Sequence, residues 1–253
     1  WVCADALGLL SMSFILNSLI LFFENYYNQI LIIGGNTIVE YRNNRLLKIK
    51  KINRINKRLN YKKYSVYNDS KFEDYYINFE YGDYNNISYT LFNNSDDETS
   101  ITESLLAYTN DLNIKVSPIK NSYVMTNDDK KIFKQVLPGY NLDSVYFNKI
   151  IVDLNNDGLN EEIYIINNFN LINIQDNIVS YVFLRTSNGN IIDVLKNESS
   201  DQNKVPAYRF CYAVDIDNDN NYEIILSEFY NESKVNYNIY KYNLITNEVT
   251  ELK

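Results

Sequence analysis

The chain has 253 residues, a formal net charge of −8, 45% hydrophobic residues, two cysteines and no histidine. Without histidine there is no Ser-His-Asp or Cys-His catalysis, no imidazole base and no His-ligated zinc or haem. Two cysteines cannot complete a four-cysteine zinc site or hold an iron–sulfur cluster, and the seven glycines nowhere form a dinucleotide or Walker phosphate loop. The composition of 41 Asn, 30 Ile and 24 Tyr against 5 Ala argues for strands and turns over helices. The expected fold class is therefore mainly β with minor α, in one large domain or two small ones.

The chain starts at Trp1, which reads as a fragment or a processed form. From Ala6 to Phe23 it carries no charge over 18 residues, the lower limit for a membrane span and also the length of an export signal's apolar core. This segment predicts an N-terminal apolar helix and a membrane tether or export signal over 1–30. The run QILIIGGNTIVEYRNNRLLKIKKI follows, with a hairpin turn at Asn43 and Asn44. Tyr41 to Lys63 holds ten Lys or Arg and no acid, whereas residues 64–253 carry 29 acids against 14 bases. Such a tract is most simply one solvated face of a strand pair, and the acidity of the remainder argues against nucleic acid as a partner.

A second hairpin is expected over 75–92, turning between Asp83 and Asn86. Ser100 followed by Glu103 matches a capping box and predicts a short helix over 100–112. A second helix is expected from Thr126 to just before Pro138 and Gly139. Residues 31–125 thus form a hairpin-rich N-terminal region with a short helix.

Residues 126–253 contain an internal repeat. The segment FNKIIVDLNNDGLNEEIYII returns 62 residues later as FCYAVDIDNDNNYEIILSE. Asp153 aligns with Asp215, Asn155 with Asp217, Asp157 with Asp219 and Glu161 with Glu223. Each copy reads strand, acidic loop, strand, strand, turn, strand, with the turns near Ser187-Asn188-Gly189 and Thr246-Asn247. Oxygen ligands at loop positions 1, 3 and 5, a backbone carbonyl at 7 and a carboxylate at 9 make an all-oxygen cage suited to Ca²⁺. The candidate metal ligands are Asp153, Asn155, Asp157, the Leu159 carbonyl and Glu161 in the first loop. In the second they are Asp215, Asp217, Asp219, the Asn221 carbonyl and Glu223. Gly158 and Asn220 sit where a left-handed backbone is needed. Position 12 is Tyr164 or Leu226 where an EF-hand needs Glu, and the flanks read as strands, so neither loop is an EF-hand.

DLNNDGLNE and DIDNDNNYE resemble the D-x-[DN]-x-[DN]-G-x-x-[DE] loops of FG-GAP repeats, found in integrin α-subunit propellers and in many bacterial surface proteins of VCBS-like type. The resemblance covers about two-fifths of the chain and implies blade-like, four-stranded antiparallel units, each with a structural calcium loop. The chain is too short for a seven-bladed propeller at this period, so an incomplete, β-propeller-like array is expected. The reading that follows is a non-catalytic, calcium-binding repeat protein at a cell surface or outside the cell, mediating adhesion or binding of a protein or glycan. Two alternatives stand beside it. One is a carboxylate hydrolase using Glu161, Glu162 or Glu228, although adjacent strand residues point to opposite faces. The other is an inward-facing, membrane-tethered sensor module.

Overall fold

The computed structural model describes residues 30–33, 37–42, 45–48, 62–68, 71–81, 87–92, 98–99, 106–109, 112–140, 145–168, 178–230, 235–243 and 245–252. The segment from Ala6 to Phe23, and with it the expected apolar helix and membrane tether, lies outside them. Among the described residues no helix is long and apolar enough to cross a membrane. The fold is mainly β, in three antiparallel sheets, and the chain divides after Leu112 into two compact units.

The first unit carries one eight-stranded sheet in the order β3-β2-β1-β8-β4-β5-β6-β7. Its strands are β1 Ile30–Ile33, β2 Thr37–Arg42, β3 Arg45–Lys48, β4 Lys62–Asn68, β5 Lys71–Tyr81, β6 Ile87–Phe92, β7 Glu98–Thr99 and β8 Leu106–Thr109. Both expected hairpins are present, β2–β3 closing at Arg42↔Arg45 and β5–β6 at Tyr81↔Ile87. The helix expected over 100–112 is not formed where the chain is described. Leu106 to Thr109 is instead a strand, paired with β1 on one side and β4 on the other. All four of its residues are buried, so two ladders and an apolar setting override a local capping signal.

The second unit has three layers. One sheet runs β10-β11-β12-β13-β14 and the other β18-β17-β16-β15-β9. The first is built from β10 Lys120–Ser122, β11 Tyr146–Val152, β12 Glu161–Asn167, β13 Ile178–Arg185 and β14 Ile191–Ser199. The second is built from β9 Lys115–Val116, β15 Ala207–Asp215, β16 Glu223–Phe229, β17 Asn236–Asn243 and β18 Glu248–Leu252. Each sheet is thus an up-and-down run of four consecutive strands with one short strand on its first edge. Those two short strands come from a single stretch, 115–122, which the sequence had grouped with the N-terminal region. Val116 pairs with Val214 and Ser122 with Lys149, and Ser117 N–H donates to the Ala213 carbonyl at 2.9 Å. The stretch therefore ties the leading edges of both sheets.

Helix α1, Asn127–Val136, covers the outer face of the first sheet. Thr126 caps it, accepting from Asp129 N–H at 3.2 Å while the Asp129 carboxylate accepts from Thr126 N–H at 2.8 Å. Pro138 and Gly139 follow directly, as expected of a helix stop. Phe133 is fully buried and meets Phe147, Tyr164 and Phe183 edge-on at 5.6–5.9 Å.

The opposite face of the first sheet, with Ile150, Val152, Ile163, Ile165, Val182 and Leu184, packs on Ala213, Ile224, Leu226, Tyr240 and Tyr242 of the second. The repeat offset makes Ile163 equivalent to Ile225, and Glu162 equivalent to Ile224. The first sheet thus offers one face of the repeat while the second answers with the other. The sheets stack front to back, and α1 covers on the first sheet the face that the first sheet covers on the second.

Candidate metal centre

Both acidic loops leave the end of one strand and enter the next, β11 to β12 and β15 to β16. They lie beside each other, since Tyr222 N–H in the second donates to the Leu154 carbonyl in the first at 2.7 Å.

The same scaffold recurs in the two. In the first, Asp153 accepts from the Asp157 and Gly158 N–H groups at 3.1 and 2.9 Å. In the second, Asp215 accepts from those of Asp219 and Asn220 at 3.1 and 3.3 Å. At position 5, Asp157 accepts from Leu159 N–H and Asp219 from Asn221 N–H, both at 2.8 Å. At position 9, Glu161 reaches back to Leu154 N–H and Glu223 to Ile216 N–H, both at 3.0 Å. Left-handed backbone occurs at positions 4 and 6 of each loop: Asn156 at φ 56° and Gly158 at 84°, Asn218 at 59° and Asn220 at 63°. Gly158 and Asn220 stand where the sequence reading put a positive φ. The asparagines at position 4 went unforeseen, although Asn is the residue other than glycine that takes this conformation most readily.

Turning on two left-handed residues brings the side chains at positions 1, 3 and 5 of the second loop together. Carboxylate oxygens of Asp215, Asp217 and Asp219 lie within 4.8 Å of one another. Glu223 is 1% exposed, and Asp217 Oδ1 is buried without a hydrogen bond. Burial pushes the Glu223 carboxyl up to about 7, against the Ile216 N–H and Lys241, which favour its charged form. Burial also raises the Glu161 carboxyl. An all-oxygen set with a buried carboxylate oxygen, Asp217 Oδ1, lacking a hydrogen bond fits a hard divalent cation. In the first loop Asn155 stands in for Asp217, and its side-chain amide donates to Asp157 at 2.8 Å. The Leu159 and Asn221 carbonyls belong to the same turns, Leu159 with its side chain 57% exposed.

One residue of the second loop was not foreseen. The Lys241 ammonium, from β17, stands 2.8 Å from Asp217, 2.7 Å from Asp219 and 3.0 Å from Glu223 Oε1. Burial alone would lower the lysine, but these carboxylates raise it above its ordinary value. In Asp219 burial works toward protonation, yet bonds from Lys241 and Asn221 N–H hold it below the ordinary carboxylate range. At the rim Lys115 lies 3.7 Å from Asp215. Counting one step past Glu162↔Arg185 and Ile224↔Tyr240 in the β12–β13 and β16–β17 ladders makes Lys241 the structural equivalent of Thr186.

The candidate hydrolytic carboxylates are separated. Glu161 turns into the first loop, whereas Glu162 faces α1 and pairs with Arg185 at 2.9 Å and Tyr164 at 2.8 Å. Glu228 accepts from Tyr230 and Asn238. Comparison of the chain with known protein families, with characterised proteins and with solved structures finds no match. The FG-GAP resemblance therefore rests on the loops and their setting.

Proposed function

We propose that residues 113–253 form a pair of propeller-blade-like repeats stabilised as a unit by calcium, and that the protein is a non-catalytic binding module of a cell surface or extracellular space. The observation that carries this reading is the duplication of the loop scaffold. Asp at position 1 accepts two loop N–H groups, Glu at position 9 returns to the residue after position 1, and left-handed residues stand at positions 4 and 6. A turn that only joined two strands would not need three acids in one loop and four in the other. Front-to-back stacking of four-stranded sheets supports the blade reading, because blades repeated around an axis stack in one sense whereas a sandwich joins like faces.

Two oxygen cages are open to a cation, one of Asp153, Asn155, Asp157, Glu161 and the Leu159 carbonyl, the other of Asp215, Asp217, Asp219, Glu223 and the Asn221 carbonyl, and calcium would be held in at least one of them. It would neutralise like charges crowded into short turns. Extracellular calcium modules bind at about 10⁻⁴–10⁻³ M, so such loops serve outside a cell and not in cytosol. Exposed tyrosines, Tyr76, Tyr123 and Tyr146, offer surface for a protein or glycan ligand.

At ten to a hundred times Kd, calcium stabilises by about 1–3 kcal/mol, a rise of roughly 2–10 °C in Tm for a domain of this size. Thermal unfolding of the full chain in millimolar Ca²⁺ and in chelator should differ by that amount. The difference should vanish in the double variant Asp153→Ala, Asp215→Ala. A Tm indifferent to calcium in the unaltered chain would overturn the reading.

A further inference from the structure

We propose that Lys241 is the resident cation of the second loop, holding its acids together without metal and leaving the first loop as the calcium-responsive one. The proposal rests on reading both loops as cation cages and divides them. Three observations carry it.

The first is position. A single ammonium lies within 3.0 Å of carboxylate oxygens at loop positions 3, 5 and 9. Those are the side chains a metal would draw together, and two like charges cannot share the spot. The second is burial. Glu223 is 1% exposed and its Oε1 faces this ammonium at 3.0 Å, so the lysine is the cation that compensates it.

The third is compensation between the copies. The first loop has three carboxylates, Asp153, Asp157 and Glu161, with neutral Asn155 at position 3 and Thr186 at the aligned strand position. The second gains a carboxylate at Asp217 and a positive charge at Lys241, and these two additions cancel. The extra acid and the lysine face each other at 2.8 Å. An added Asp with no lysine would make the second loop the stronger calcium site; the pair makes it self-sufficient.

Calcium bound per full-length chain, counted by equilibrium dialysis with radioactive Ca²⁺ up to 2 mM, tests this, with circular dichroism to verify the β fold. The unaltered chain should bind one ion, lost in Asp153→Asn and kept in Asp215→Asn. Lys241→Thr, which copies Thr186, should bind one ion more than the unaltered chain, and adding Asp215→Asn should remove it. Loss of an ion in the Asp215→Asn variant alone would overturn the proposal, and this arm does not depend on Lys241→Thr folding. So would a Lys241→Thr chain that binds no more than the unaltered one. No ion in the unaltered chain but one in Lys241→Thr would overturn calcium binding by the first loop while upholding the role of Lys241.

Discussion

Asp129 closes the cap of α1 and also anchors the helix to the sheet beneath it. Its Oδ2 takes the Thr126 N–H and hydroxyl, and its Oδ1 takes the Lys149 ammonium at 2.9 Å with the Tyr164 hydroxyl at 3.0 Å. Asp129 is 1% exposed and Lys149 9%, so neither charge can turn to water if the other is lost. Removing one partner of such a pair costs about 3–5 kcal/mol. Asp129→Asn should show a loss of that size in urea unfolding, whereas replacing exposed Asp128 should cost little. Burial pushes the Asp129 carboxyl up, but its hydrogen bonds outweigh that and hold it below the ordinary 3.8. A carboxyl lowered in the folded state stabilises the fold above its unfolded value, and that contribution disappears as pH falls through the folded one. Acid unfolding monitored by circular dichroism should therefore lose this contribution below about pH 4. The Asp129→Asn variant should lack that component.

At the scale of elements, what could be read from sequence was what lies close along the chain. Each acidic loop fits in nine consecutive residues, so the spacing of the acids, the left-handed residue at position 6 and the flanking strands were visible in one window. The α1 cap and its Pro-Gly stop were local in the same way. The strand at Leu106–Thr109 was not, because its character comes from β1 and β4, far away in sequence, and a Ser-x-x-Glu pattern spoke more loudly nearby. Lys241 was hidden for the same reason: the β16–β17 ladder, not spacing, brings it to the acids. Nor could spacing reveal the aromatic seam under α1, where Tyr164 and Phe183 stack at 4.7 Å and Phe133 stands on both. Phe133→Ala should cost about 3–5 kcal/mol in chemical denaturation. It should also raise hydrogen exchange in α1 more than in β16, since the other sheet packs on the far face.

For the whole molecule, the division after Leu112 gives two units with separate sheets, so melting should not be described by one transition. Calorimetry of the full chain should resolve two, with calcium raising the one that belongs to 113–253 and leaving the other in place. A uniform shift of both would mean that the units unfold together. The stretch 115–122 has a consequence for the order of assembly. The strands β11–β14 and β15–β18 pair with their neighbours in sequence and can zip as soon as each hairpin leaves the ribosome. The stretch is made before either sheet, yet its Val116↔Val214 pairing must wait until most of the unit exists. It closes the longest loop in the unit and should lock last, after the local hairpins. Until then the leading edge of β15 stays unpaired on a nascent chain, and this interval is when strand exchange with a neighbouring chain would most readily occur.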